Sequence, residues 1–239
     1  IYMEDGEIAV LTAEGVNLFN DEMDPIDKPH SHIDWDVSAA EKGGYPHFML
    51  KEIFEQPEAV RKTVSPRVRE GRVVLDDLRL TKEYIQGVSR IFIVACGSSY
   101  HVGMVSKYNW ERLLRRPVEG CLASEFRYCD PLVDDHSLVI FISQSGETLD
   151  TMAALREAKR RGAHILSIVN VVGSSIARES HTVLYTWAGP EIAVATTKAY
   201  STQLAACYLL ATEFARVRGT LADGQYEHLV TELEALPEK

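Results

Sequence analysis

The sequence predicts an α/β domain, a three-layer sandwich with a central parallel sheet and helices on both faces. Three observations predict it. From about residue 90 to residue 218, strand-like and helix-like segments alternate, as they do when each strand is followed by a crossover helix. The strand segments, among them "RIFIVA", "SLVIFI" and "AHILSIVN", are apolar runs without in–out alternation, the pattern of strands buried on both faces. Two of them end in glycine and hydroxyl residues, "ACGSSY" and "SQSGET", where a helix begins.

Taken in order, the chain opens with "IYMEDGEIAV", in which Asp5-Gly6 separates two apolar runs, a hairpin signal. "AEGVNLFN" adds a third strand. A meander of that size buries little surface alone, so residues 1–20 read as the end of a preceding domain. Residues 21–46 are rich in Asp, Pro and Gly, a linker composition. His30 and His32 there are candidate metal ligands, with solvated loop histidines as the plainer reading. From residue 47 the texture changes. Phe48, Leu50, Ile53 and Phe54 fall near helical spacing, and Pro57 suits the first turn of a second helix. "LDDLRLTKEYIQGV" continues as helix.

Residues 90–95 then predict a strand, 99–116 a helix, 118–123 a strand and 124–129 a short helix. Residues 137–142 are a strand, 148–161 a helix, 163–170 a strand, 174–180 a short helix and 182–187 a strand. A long helix runs over 197–218, with Gly219 as its C-terminal cap. "QYEHLVTELEAL" closes the chain as an amphipathic helix.

With 239 residues, 46% hydrophobic and 25% charged, the chain carries a globular core. Its net charge of −10 argues against nucleic acid as the main partner but permits a locally positive anion pocket. Cys96, Cys121, Cys129 and Cys207 have neither the spacing of a zinc site nor the density of a disulfide scaffold. They read as reduced thiols of a cytoplasmic protein. The most apolar long segment, residues 199–217, contains Gln203, Glu213 and Arg216, so it reads as a core helix and not as a membrane span. No secretory leader is recognisable. A start at Ile1 and an end at Lys239 read as a piece of something longer.

The strand-tip loops carry the chemistry. In open parallel sheets, ligands bind beyond the carboxyl ends of the strands. A helix start offers unpaired N–H groups and partial positive charge, and serine and threonine hydroxyls add rotatable donors. In "SQSGET" Gly146 permits close approach to the backbone. Such a tip can hold a phosphate without a cation; the plainer role for Ser143 or Ser145 is to cap the following helix. The Gly-Lys-Ser/Thr of a Walker loop is missing. Ser143 and Glu147 around Ser145, and His101 after Ser99, do not make a nucleophile elbow. A third loop, residues 188–203, feeds the long helix. Lys198 near that helix start is a candidate anion contact, or a side chain extended into water. Glu191 is a candidate acid or base, or a solvated carboxylate.

"CGSSY", "SEFRY", "SQSGETLDT", "GSSIARES" and "EIAVATTKAYSTQL" resemble motifs of the sugar isomerase (SIS) domain. With "MLKEIFEQP" upstream, the chain is similar to the family of glutamine–fructose-6-phosphate aminotransferases, the glucosamine-6-phosphate synthases, from about residue 1 to its end. The resemblance implies an SIS-type, flavodoxin-like sandwich. It implies C-terminal strands of a truncated glutaminase domain over 1–20, a linker over 21–46 and the first SIS domain over 47–239. The glutaminase nucleophile and the second SIS domain, with its glutamate base and lysine, would lie outside this chain, as would a histidine from a neighbouring subunit. Hence none of the catalytic residues is expected here, and no cofactor or metal.

By resemblance, Ser143, Gln144, Ser145 and Thr148 match the phosphate loop. Ser98 and Ser99 match positions that contact sugar and phosphate, with Cys96 and Gly97 beside them. Val194, Ala195 and Thr196 match a segment touching the sugar. Ser98 stands where relatives often have threonine, and Thr196 where they often have serine. The implied partners are fructose 6-phosphate or glucosamine 6-phosphate, the other domains of the same enzyme and a second copy in a homodimer, with no nucleic acid and no membrane. Two alternatives stay open: a stand-alone phosphosugar isomerase, for which Glu191, His101 and Lys198 are the candidate acid/base groups, and a non-catalytic sugar-phosphate sensor.

Overall fold

The computed structural model describes residues 1–29, 40–75, 78 and 80–239. His30 and His32 lie outside the described residues. The chain divides into two compact units, Ile1–Asp36 and Val37–Lys239.

In the first unit β1 (Ile8–Leu11), β2 (Val16–Phe19) and β3 (Pro25–Ile26) form an antiparallel sheet in that order. The hairpin turn is not at Asp5-Gly6, as the sequence suggested. It spans residues 12–15, where Thr12 N–H donates to Gly15 O at 2.9 Å. Gly6, at φ 84°, turns the chain ahead of β1. Ile1, Tyr2 and Met3 stay exposed and join no strand. Within the three strands only Leu18 is buried, so this sheet has little core of its own. β3 falls inside the stretch read as linker. Its Pro25 is tolerated because β3 is an edge, where a missing N–H leaves no ladder bond unmade.

The second unit begins with α1 (Phe48–Phe54) and α2 (Gln56–Val64), the latter with proline in its first turn as expected. A small hairpin that the sequence reading missed follows, β4 (Val68–Arg69) and β5 (Arg72–Val73), turned by Glu70 and Gly71, both at positive φ. Of the helix expected over 75–88, the described residues include α3 (Lys82–Gly87). Thr81 starts it, its hydroxyl accepting from Tyr84 N–H at 3.1 Å.

Then come β6 (Arg90–Ala95), α4 (Gly97–Leu114), β7 (Val118–Leu122), α5 (Ala123–Phe126), β8 (Ser137–Ser143), α6 (Leu149–Arg160), β9 (His164–Val169), α7 (Ser175–Glu179) and β10 (Thr182–Tyr185). The long α8 (Lys198–Arg218) ends at Gly219, whose φ of 70° is the left-handed cap anticipated from sequence. α9 (Asp223–Ala235) completes the unit.

β6 to β10 make one parallel sheet in the order β10-β9-β8-β6-β7. Counted along the chain this is 2-1-3-4-5, the flavodoxin-like order. The sheet splits the core in two. On one face Ile91, Ile93, Leu138, Ile140 and Leu166 meet Val102 and Trp110 of α4 and Leu210 and Phe214 of α8. On the other, Phe92, Val94, Val139, Phe141 and Ile165 meet Phe126, Ala154, Leu155 and Ile176 of α5, α6 and α7. This is the predicted three-layer sandwich, and it explains the apolar runs: all seven residues of β8 are buried, four of one parity facing one helical layer or its end and the rest the other. Among the described residues no helix is long and apolar enough to cross a membrane; α8 is instead buried along most of its length within the unit.

Candidate functional site

The strand order decides which tips meet. The chain winds from β6 outward to β7, then returns across β6 to β8 and continues the other way, so the order reverses between β6 and β8. At such a switch point the connecting loops diverge to opposite faces and leave a crevice beyond the strand ends. Ala95 pairs in register with Ile142, so Cys96–Ser99 and Ser143–Thr148 leave adjacent strands at the same level.

The β8 loop is held from behind. Ser143 is buried and its Oγ accepts Gly146 N–H at 3.0 Å, while Thr148 Oγ1 lies 3.5 Å away. Ser145 Oγ accepts Glu147 N–H at 3.2 Å. Neither serine caps α6, the plainer role weighed for them; both brace the loop itself. Gln144 is half-buried, and its carbonyl accepts Asn170 N–H at 3.2 Å. Gly146 sits at φ 69°, and a Cβ there would fall 2.0 Å from Ser174 Oγ. Glu147 Oε1 accepts Ser175 N–H at 2.7 Å and Gly146 O accepts Ile176 N–H at 3.0 Å, so the start of α7 backs the loop.

The β6 loop is more open. Cys96 is the N-terminal flanking residue of α4 and half-buried, with Thr151 Oγ1 at 3.8 Å from its Sγ. Gly97, at φ 56°, and Ser98 are exposed. Ser99 Oγ donates to Gln203 Oε1 of α8 at 3.0 Å. Neither α4 nor α6 has a side-chain cap, so the N–H groups of both first turns face the crevice end of the sheet without an internal acceptor from a capping residue.

The third loop is pinned at this same end by Asn170, the residue following β9. Its Oδ1 accepts from Thr186 Oγ1 at 3.1 Å and Ala188 N–H at 2.8 Å, and its Nδ2 donates to Gly189 O at 2.7 Å. Beyond Gly189, Val194 and Ala195 form an exposed crest, and Thr196 is half-buried.

A family description, "SIS domain", matches residues 84–213, over half of the chain. The chain belongs to the SIS domain family. Its relatives include glutamine–fructose-6-phosphate aminotransferases (isomerizing) of Clostridium acetobutylicum, 53% identical over the whole of this chain, and of Clostridium perfringens, 53% identical over 99% of it. The chain spans 39% of the length of each. Among solved structures, the C-terminal domain of glucosamine-fructose-6-phosphate aminotransferase from Francisella tularensis superposes with a TM-score of 0.79 at 42% identity, covering 83% of this chain and 56% of that one.

Within this SIS domain, two charged residues singled out from sequence turn out to be committed internally. Glu191 Oε1 accepts the N–H groups of Thr197 (3.0 Å) and Ala199 (3.2 Å), and Oε2 accepts Thr196 Oγ1 at 2.8 Å. It caps the start of α8. The side chain of Lys198 is 3% exposed and not extended into water; the anion it faces is this chain's own Glu55, Nζ to Oε2 at 2.7 Å. A buried ammonium at the positive end of a helix requires such a partner. His101 is exposed, its ring edge-on to Tyr100.

Sequence reasoning missed the residues that hold the loops in place: Asn170, Gln203 and the Glu52–Gln56 segment. The sequence marks "KEIFEQ" as part of a helix and of the family pattern, and gives its polar residues no role. In the fold, Glu52, Glu55 and Gln56 all reach the third loop or the helix it feeds.

Proposed function

We propose that this chain is the phosphosugar-binding SIS module of a glutamine–fructose-6-phosphate aminotransferase, holding fructose 6-phosphate, or its product glucosamine 6-phosphate, in the crevice between the β6 and β8 tips. The observation that carries the proposal is the switch point itself. Two uncapped helix starts lie at adjacent strand tips there, with the hydroxyls of Ser98, Ser145 and Thr148 on the loops, those of Ser99 and Ser143 bracing them, and no lysine or arginine in either loop. Each hydrogen bond to a phosphate oxygen contributes about 1.5–3 kcal/mol. The crest of Val194, Ala195 and Thr196 would lie along the sugar, and Cys96, Gly97 and Gln144 would complete the wall.

In this reading residues 47–239 are the first SIS domain, residues 1–20 belong to the end of a glutaminase domain, and 21–46 join the two. The whole enzyme would move ammonia from glutamine to the ketose phosphate and isomerise the product, as a homodimer in the cytoplasm. This module contributes binding and orientation. Two of its three candidate acid/base groups favour that division, since Glu191 and Lys198 are already engaged by hydrogen bonds and an ion pair. The same engagement disfavours a stand-alone isomerase.

Calorimetric titration with fructose 6-phosphate tests the reading. Ser145→Ala should weaken binding about tenfold or more, and the chain mixed with fructose 6-phosphate and ammonia should form no glucosamine 6-phosphate. A heat of binding that Ser145→Ala leaves unchanged would move the ligand elsewhere.

A further inference from the structure

The junction of α1 and α2 packs where the third loop passes, and three of its side chains, Glu52, Glu55 and Gln56, make polar contacts there. Glu52 is 2% exposed, and its Oε1 accepts the N–H groups of Ile192 at 2.7 Å and Ala193 at 3.1 Å. Glu55 Oε2 holds Lys198 Nζ at 2.7 Å, and Gln56 Oε1 accepts from Ser201 Oγ at 2.6 Å. The partners therefore bracket Val194, Ala195 and Thr196: Glu52 fastens the chain just before them, and Glu55 and Gln56 fasten it just after.

Burying a carboxylate among apolar neighbours is costly unless its hydrogen bonds repay the lost hydration. Glu52 does this with half its capacity. Its Oε2 is buried with no hydrogen-bond partner among the described residues. An alanine or leucine at this position would fill a core more cheaply, so packing alone does not account for the residue. What the carboxylate supplies is an acceptor for two successive backbone N–H groups, which sets the direction of the loop immediately ahead of Val194. Val194 itself is fully exposed and Ala195 is exposed, so the crest takes its direction from its two ends, Glu52 ahead of Val194 and Glu191 at Thr196.

We infer that Glu52 is a positioning residue for sugar recognition, holding residues 192–193 so that the 194–196 crest faces the crevice, while the phosphate is gripped independently by the β6 and β8 tips. The inference rests on the function proposed above. It separates two parts of one ligand: the ester depends on the β6 and β8 tips, the hexose on a loop that Glu52 sets.

The experiment titrates the 239-residue chain and its variants with fructose 6-phosphate and, separately, with inorganic phosphate. Glu52→Ala removes both acceptor contacts and is expected to weaken fructose 6-phosphate about tenfold, with inorganic phosphate changed by less than about twofold. Glu52→Gln keeps an acceptor oxygen at the same reach but without charge. Its loss should be about threefold, again confined to the sugar phosphate. Amide hydrogen exchange at Ile192 and Ala193 should quicken in both variants. Equal losses for the two ligands, or no loss for fructose 6-phosphate, overturn the inference. Should Glu52→Ala fail to fold, Glu52→Gln decides by the same comparison. If the unmodified chain binds neither ligand, the proposed function falls and this inference with it. If the unmodified chain binds both and Glu52→Ala binds both equally well, only the inference falls.

Discussion

Gly146→Ala is the sharpest perturbation of the β8 tip. A methyl group at this position would sit 2.0 Å from Ser174 Oγ and 2.5 Å from Ser174 Cβ, distances no packing tolerates. Ser174 is fully buried, so it cannot swing into solvent. The backbone φ of 69° adds a separate cost of about 1–2 kcal/mol for a residue with a Cβ. Overpacking a rigid site adds about 1–3 kcal/mol. The sum, about 2–5 kcal/mol, corresponds to a fall in Tm of roughly 4–20 °C for a chain of this size. Thermal or urea unfolding measures it, and fructose 6-phosphate binding should fall in parallel as the loop moves. Two controls separate the terms. Ser174→Gly removes both clashing atoms, so Gly146→Ala combined with Ser174→Gly should lose only the conformational cost beyond Ser174→Gly alone. Ser174→Ala leaves the 2.5 Å clash with Cβ and should rescue less. A Gly146→Ala protein within about 1 kcal/mol of the parent, or a double variant with no relief, would refute the argument that α7 backs this loop.

The remaining expectations concern pH and thiols. Burial first, and the nearby His181 second, push His164 down to about 4, so it stays neutral in the folded chain while the unfolded chain takes up a proton below about 6.5. Stability should therefore be indifferent to His164 above pH 7 and decline as pH falls from about 6.5 toward 4. Because the ring is only half-buried, the effect is about 1 kcal/mol between pH 7 and pH 5. It would be read as the difference between the parent and His164→Asn in urea titrations at the two pH values; parallel titrations would contradict it. Burial also pushes the Cys207 thiol up to about 12, and burial with Glu119 nearby does the same for Cys121, whereas Cys129 is exposed. A thiol reagent at neutral pH should label Cys129 promptly and Cys207 only on unfolding; prompt labelling of Cys207 in the native protein would show that α8 opens.

The layers of the domain were legible because the signals for them are local. An apolar run of six or seven residues marks a doubly buried strand wherever it lies, and Gly219 ends α8 by its own backbone freedom. Local reading failed where two local signals competed. Asp5-Gly6 has the better hairpin composition, yet the turn formed at residues 12–15, where the flanking strands could pair over four positions. The short hairpin at Glu70-Gly71 went unnoticed because its strands are two residues each.

By itself, then, the sequence determined the alternation of elements, the apolar strands and the hydroxyl-rich tips, since these depend on contacts within about four residues along the chain. Tertiary structure alone decided that β8 would lie against β6 and so bring the two tips together. It also decided which distant groups would brace the loops: Ser99 with Gln203, 104 residues apart, Glu52 with Ile192, 140 apart, and Lys198 with Glu55, 143 apart. No periodicity encodes such pairs. They follow from the path of the whole chain, because a buried charge or amide must find its partner among whichever groups the completed core brings near.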